Sequence, residues 1–174
     1  MTEIVIVTAI GARDKPGIVA ALAEAIYSAG GSLDDATMTR LHGAFATMLA
    51  ARLPEEAKDD LRSRLAGVTE RLGLHVTIDD IPDAHQDAPP DQLVTVYGAD
   101  RPGIVHQIAS LLAEHGANIT DLDTRVAGAR DKPVYVMFLE TAGGDWRQLP
   151  GKLSGVAGAL GVEVSHKELD AEAL

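Results

Sequence analysis

The apolar positions of this 174-residue chain follow one order twice. Each half contains a stripe at i, i+1, i+4, i+7 and i+8, which predicts a helix with one buried face. This stripe consists of Ile18, Val19, Leu22, Ala25 and Ile26, and again of Ile104, Val105, Ile108, Leu111 and Leu112. Another stripe, at i, i+4, i+7 and i+11, consists of Leu61, Leu65, Val68 and Leu72, and again of Leu149, Leu153, Val156 and Leu160. This ordered series of matches indicates an internal duplication.

Around the stripes, each half contains four predicted strands, of which the first is a short run rich in Val, Ile and Thr. The strands cover residues 4–9, 32–41, 44–53 and 74–81, and then 93–97, 118–127, 134–141 and 162–168. The four helices begin at or near Pro16, Pro54, Pro102 and Asp145 and end at Gly30, Gly73, Gly116 and Gly161. Proline suits the first helical turn and glycine suits a helix end. The run 134–139 has few polar members, which predicts a strand covered on both faces or lying at an interface.

Each half therefore reads as strand, helix, strand, strand, helix, strand. This is the order of the ferredoxin-like βαββαβ fold, in which an antiparallel sheet carries both helices on one face. We predict an α+β protein with two such domains, at residues 1–82 and 92–170. Residues 83–91 between them are rich in aspartate and proline and contain no large apolar residue, which is typical of a short, solvated linker.

Composition argues against several classes of function. The net charge is −11, whereas direct DNA or RNA binding needs clustered Lys and Arg that displace counterions from the phosphates. Because the chain contains no cysteine, disulfides, thiolate metal sites and cysteine nucleophiles are excluded. The N-terminus lacks the features of a signal peptide, and no apolar run is long enough to span a membrane. We expect a cytoplasmic globular protein without direct membrane or nucleic-acid contact.

The most informative motif follows the first strand of each half. Asp100-Arg101-Pro102-Gly103 and Asp14-Lys15-Pro16-Gly17 lead directly into the first predicted helix. Glycine in the first helical turn leaves room for a ligand beside N–H groups that lack partners, at the positive end of the helix dipole. These groups suit the carboxylate of an amino acid. Asp100 can accept a hydrogen bond from the ammonium group, and Asn118 offers both a donor and an acceptor.

The segment 100–105, followed by 114–119, resembles the signature of ACT domains, which are small modules that sense amino acids in biosynthetic enzymes and regulators. The first half carries a looser copy at 14–19 and 30–33. The resemblance implies a pocket shared between paired domains. Its candidate residues are Gly98, Asp100, Arg101, Pro102, Gly103, Asn118 and Ile119 in the second half, and Asp14, Lys15, Gly17 and Ser32 in the first. Because Ser32 stands where the second half has Asn118, we expect the better site in the second half.

A purely structural role for these residues is equally open. The Pro-Gly pairs can start a helix tightly against the sheet, Asp14 and Asp100 can cap it, and Asn118 can close the preceding turn. Asp121 and Asp123 are expected on the same side of a strand, on a solvated or interface face. The histidines show no metal-binding spacing, and the sequence contains no catalytic or cofactor motif.

Three functional hypotheses follow. Two ACT-like domains with no catalytic or DNA-binding domain resemble the glycine cleavage system transcriptional repressor group. This resemblance implies a non-catalytic regulator that binds a small amino acid, with glycine and serine as candidates, and that acts through a DNA-binding regulator or an enzyme. The second hypothesis is a detached regulatory subunit of a biosynthetic enzyme, or a small enzyme whose site lies at the domain interface. The third is an oligomerisation scaffold whose pockets have decayed. We expect a homodimer, since edge strands need covering.

Overall fold

A computed structural model of the chain describes residues 2–81, 88–129 and 132–169. The chain divides into two compact units, Met1–His85 and Gln86–Leu174. Residues 83–87 of the predicted linker lie outside the described residues, as does residue 170, the predicted end of the second domain. The helices and strands confirm the predicted fold class, because each unit has the βαββαβ order.

The first unit is a four-stranded antiparallel sheet with two helices packed on it. Its elements are β1 (Thr2–Gly11), α1 (Ile18–Ser28), β2 (Ser32–Leu41), β3 (Ala44–Pro54), α2 (Lys58–Leu72) and β4 (Leu74–Asp80). The strand order is β2-β3-β1-β4, so β2 and β4 form the edges of the sheet. Alternate residues of the central strands are buried against the helices, including Val5, Val7, Leu49 and Leu53, together with Leu22 of α1 and Leu61 of α2.

The second unit repeats this architecture. Its elements are β5 (Gln92–Ala99), α3 (Ile104–Glu114), β6 (Asn118–Ala129), β7 (Lys132–Ala142), α4 (Leu149–Leu160) and β8 (Val162–Glu168). The strand order is β6-β7-β5-β8. Its separate core contains Val94, Val96, Met137 and Leu139 from the central strands, with Ile108, Leu112 and Leu153 from the helices. Most positions of the apolar stripes are buried in these two cores, whereas Val19 and Val105 are exposed.

The helices begin later than predicted, and the two glycines of the repeated motif are not helical. Gly17 and Gly103 are the residues that precede α1 and α3, with φ angles of 93° and 94°. Only glycine adopts this left-handed conformation without strain, so the chain can turn sharply from the strand into the helix. The prediction that Pro16 and Pro102 begin the helices is therefore wrong.

The second helix of each unit also starts several residues after its predicted beginning. Pro54 ends β3, and a single 3-10 turn over Glu55–Ala57 separates it from α2. Asp145 lies in a turn before α4, where its carboxylate accepts hydrogen bonds from the backbone N–H of Arg147 and the side chain of Gln148. Such an Asx-type turn competes with helical hydrogen bonding, which delays the helix.

Strand β7 is covered on one face only within the described structure. Tyr135, Met137 and Leu139 are buried against the helices, whereas Phe138, on the other face, is 36% exposed. The apolar composition of this strand led to the prediction that both faces are covered or that it lies at an interface. The first alternative, a strand covered on both faces, is therefore wrong. The second alternative, a strand at an interface, stays a prediction.

Candidate ligand-binding site

The loop between β5 and α3 carries most of the candidate residues, and its two glycines have distinct structural roles. A Cβ atom at Gly98 would lie 2.9 Å from the side chain of Val162, so glycine lets β8 approach closely. Gly103 provides the left-handed turn into α3. Pro102 comes directly before this turn, and its ring fixes the φ angle with which the chain enters the turn. The first N–H groups of α3 lack acceptors within the helix and open onto this loop.

Arg101 lies against the carboxyl end of α4. Gly161 ends this helix. A Cβ atom placed at Gly161 would lie 3.0 Å from a terminal guanidinium nitrogen of Arg101. A cation at the negative end of a helix is favourable. Arg101 therefore joins the loop to the end of α4.

Asp100 lies near a tyrosine that the sequence did not single out. Tyr135 of β7 is buried, and its pKa is raised chiefly by this burial and further by the negative charge of Asp100, while a hydrogen bond with Thr124 opposes the shift. Tyr135 pairs with Gly98, and in the first unit the same position opposite Gly11 is taken by Phe45. The second unit thus has a phenolic hydroxyl at its loop end where the first has none. The alternation of β7 predicts that Tyr135 points inward, but not that the charge of Asp100 acts on it.

Asn118 and Ile119 lie at the other end of the sheet from the loop. Ala99 pairs with Val134, whereas Asn118 pairs with Ala142 at the far end of β7. At the usual rise per strand residue, these two ends are separated by about 26 Å. The helix that follows β5 carries the chain back along the sheet before β6 begins. One unit therefore does not bring Asn118 and Ile119 together with Asp100.

The candidate residues of the first unit are arranged in the same way. The N–H of Asp14 donates to the carbonyl of Gly43 in the β2–β3 turn, and the carboxylate of Asp14 lies 3.6 Å from Arg40. Lys15 is exposed in the same loop, while Ser32 is at the far end, paired with Arg52. Neither α1 nor α3 receives a side-chain cap, so the expectation that Asp14 and Asp100 cap these helices is wrong.

Comparison with known proteins agrees with the repeated motif. The sequence pattern that defines the ACT-domain family matches residues 3–79 and again residues 91–167. The chain belongs to the ACT-domain family. It carries two copies of the domain in tandem.

Curated relatives correspond to single ACT domains of this chain. The UPF0237 protein of Methanopyrus kandleri is 45% identical over 74 residues, which are 41% of this chain and 80% of that protein. The UPF0237 protein of Pyrobaculum aerophilum is 37% identical over 78 residues, which are 45% of this chain and 87% of that protein. These relatives show that one ACT domain of this kind also exists as most of a protein.

Two solved structures share the fold of nearly the whole chain. A protein of unknown function from Galdieria sulphuraria has a TM-score of 0.84 and 24% identity, with 98% of this chain and 100% of that chain covered. A structure assigned provisionally as a glycine cleavage system transcriptional repressor has a TM-score of 0.71 and 17% identity, with 98% and 99% covered. At these identities, both comparisons establish the tandem ACT fold.

Outside the loops, the acidic pair of the second ACT domain lies on the open face of its sheet. Asp121 and Asp123 alternate with inward-facing residues, as predicted, and Asp123 accepts a hydrogen bond from Arg125. Across residues 2–81, 88–129 and 132–169, no three metal-ligating side chains form a group that could hold an ion. In the same part of the chain, no helix combines the length and apolar character needed to cross a membrane.

Two grooves lie on the first ACT domain, and neither contains a candidate loop residue. One, of about 310 Å³, lies between α2 and β4 and is lined by Arg62, Leu65, Ala66, Thr69, Val76 and Ile78. The other, of about 290 Å³, lies between α1 and α2. The motif loops instead form an open end of each domain, where their polar groups are accessible.

Proposed function

We propose that this protein is a non-catalytic cytoplasmic regulator that binds a small amino acid at the loop of its second ACT domain. The observation that carries this proposal is the loop itself. A left-handed glycine opens the first turn of α3 next to an exposed carboxylate, Asp100. An amino acid presents one anionic and one cationic group, and this loop offers a complementary partner for each.

The roles of the loop residues follow from their positions. The backbone N–H groups after Gly103 receive the ligand carboxylate, and Asp100 accepts from the ligand ammonium. Arg101, Pro102 and Gly98 shape the loop rather than contact the ligand through charge. Tyr135, which replaces Phe45 of the first ACT domain, has a buried hydroxyl that donates to the sulfur of Met137 and is subject to the charge of Asp100. Glycine and serine are the small amino acids that the family resemblance favours as ligands.

Asn118 and Ile119 contribute from a second copy of the chain. Strand β6 is an edge of its sheet and is largely exposed, so it can pair with the same strand of another copy. Antiparallel pairing about a twofold axis reverses the second strand and places its beginning beside the loop end of the first. Asn118 of the second copy then approaches the loop that Asn118 of the same domain cannot reach. This arrangement makes a homodimer the ligand-binding form.

The first ACT domain supports a weaker site. Asp14 already faces Arg40, and Ser32 replaces the amide of Asn118 with a smaller group. Lys15 and Gly17 keep the loop geometry. We therefore assign the principal site to the second domain.

Ligand binding at a dimer contact shifts how the two copies associate. A partner protein then recognises the altered dimer, and the ligand regulates the partner in this way. A DNA-binding regulator of glycine metabolism is the partner that the motif resemblance favours. An enzyme of amino-acid metabolism is the other class of partner. The net charge of −11 favours action through a protein rather than on nucleic acid directly.

Isothermal titration of the full chain against individual amino acids tests this proposal. We expect saturable binding of a small amino acid that weakens at least about tenfold in Asp100→Ala and in Asn118→Ala, because each removes one charged or polar contact. Asp14→Ala, the matched change in the first domain, should have a much smaller effect. Failure of every amino acid to bind, or binding that survives both substitutions in the second domain, would overturn the proposal.

A further inference from the structure

The groove between α1 and α2 of the first ACT domain is lined by polar and charged side chains that no part of the proposed loop site uses. Each helix contributes four residues at i, i+3, i+4 and i+7, which form one ridge facing the other helix. The ridges are Ala21, Glu24, Ala25 and Ser28 on α1, and Arg64, Gly67, Val68 and Arg71 on α2.

The directions of the helices place two cations around one anion. Gly11, which precedes α1, pairs with Leu74, which follows α2, so the beginning of α1 lies near the end of α2 and the helices are antiparallel. Glu24 is therefore level with the middle of the ridge on α2, between Arg64 and Arg71. The Cα atoms of these arginines are about 10 Å apart along the helix axis.

Small residues keep the middle of the groove open. Nothing lies within 4 Å of the position that a Cβ atom would take at Gly67, and no positive φ angle requires glycine there. Glycine within a helix is less favourable than alanine, so the open space at this position has a cost in stability. Ala21 and Ala25 on the facing helix add little bulk.

The charges of the groove remain available to a ligand. Arg64 bonds Asp60 through Nε at 2.8 Å, which leaves its terminal nitrogens to the groove. In the described part of the chain, neither Glu24 nor Arg71 forms an ion pair. The lining thus has two positive groups and one negative group, and the hydroxyl of Ser28 lies at the end near Arg64.

The second ACT domain does not keep this arrangement, although the duplication keeps the apolar stripes. The corresponding positions are Gln107, Ser110, Leu111 and Glu114 on α3, and Lys152, Gly155, Val156 and Ala159 on α4. The central carboxylate and both arginines are lost, with a lysine in place of Arg64 and an alanine in place of Arg71. The small Ala25 is replaced by the buried Leu111. The charged groove is therefore a property of the first domain and not of the fold.

We infer that this groove binds an α-amino acid that carries a second carboxylate. The two carboxylates bond Arg64 and Arg71, and the ammonium group bonds Glu24, so all three charges of the ligand are matched. The groove is an open cleft whose charged residues Glu24, Arg64 and Arg71 are exposed, and its volume of about 290 Å³ has room for a molecule of this size. The site is separate from the loop site and does not depend on the proposed function.

Titration of the full chain with L-aspartate, L-glutamate and succinate tests the inference. We expect saturable binding of at least one acidic amino acid, and weaker binding of succinate, which lacks the ammonium group. Binding should fall at least about tenfold in Arg71→Gln and in Glu24→Gln, because a charged hydrogen bond is lost in each.

Gly67→Leu provides a test that does not depend on charge. Leucine fills the groove and is a better helix former than glycine, so binding should be lost while thermal stability is kept. Gly155→Leu is the matched control in the second domain and should leave binding unchanged. The absence of saturable binding, full binding by Gly67→Leu, or equal affinity for succinate and aspartate would overturn the inference. Loss of binding in Asp100→Ala, with Arg71→Gln unaffected, would overturn it by assigning the ligand to the loop.

Discussion

At the scale of single residues, glycine serves opposite purposes in different parts of this molecule. Gly103 precedes α3 with a φ of 94°, a conformation that an L side chain adopts only with strain. Gly67 lies within α2 in ordinary helical geometry, with open space where a side chain would be. The first glycine is required by the backbone, whereas the second is not.

This contrast predicts effects of opposite sign. Gly103→Ala should lower the free energy of unfolding by about 1–2 kcal/mol, because alanine must adopt the left-handed conformation. Gly67→Ala should raise it by about 0.5–1 kcal/mol through the helix propensity of alanine and the lower entropy of the unfolded chain. Urea denaturation of both variants checks the prediction. A stabilised Gly103→Ala would show that the turn into α3 does not need glycine.

At the scale of elements, Lys58 joins the first turn of α2 to two strands of the first domain. Its ammonium group bonds Glu3 of β1 and lies 2.7 Å from Asp80 of β4. The hydrogen bond from Lys58 is the main cause that lowers the pKa of Asp80. A carboxyl group whose pKa is lower in the folded state stabilises the fold above its unfolded pKa, and this contribution disappears as the pH falls through the folded value.

Lys58→Met should therefore destabilise the protein at neutral pH but much less in acid. At neutral pH the wild type should unfold at a higher urea concentration than the variant, and the difference should shrink as the pH falls through the lowered pKa of Asp80 in the folded state. Unfolding midpoints measured across this range test the assignment, and a difference that grows with acidity would contradict it.

The order of the elements could be predicted from the sequence because periods of 3.6 and 2 distinguish helices from strands, and the duplication supplied each pattern twice. Three features could not be predicted from the sequence. The left-handed glycines depend on how the strand meets the helix, and the effect of the Asp100 charge on Tyr135 depends on strand register. The groove between α1 and α2 joins charged residues from different helices, which separately read as solvated positions.

The motif indicates the family correctly, but the closeness of Asn118 to the loop in sequence suggests a spatial contact that one domain does not make. It follows the repeated loop by one helix in sequence, yet the strand register separates them by most of the length of the sheet. A βαβ connection always returns the chain to the end where it started. The physical consequence is that a loop site that uses both Asp100 and Asn118 requires two domains.

At the scale of the whole molecule, the charge argues against direct contact with DNA. The net charge is −11, and the basic residues are divided between the two ACT domains. We predict no retardation of duplex DNA by the purified protein in an electrophoretic mobility assay, even below about 50 mM salt, where electrostatic binding is strongest. Retardation that decreases with added salt would contradict action through a partner.

The central claim is that two copies of the chain share each loop site, and mixing two inactive variants tests it most directly. Asp100→Ala and Asn118→Ala, each alone, should lose amino-acid binding. If one site takes Asp100 from one copy and Asn118 from the other, a mixed dimer has one intact site, and random mixing restores about a quarter of all sites. Isothermal titration after the two variants are mixed and allowed to exchange should show this fraction with wild-type affinity. Recovery of no sites, while each variant still forms dimers, would contradict the account.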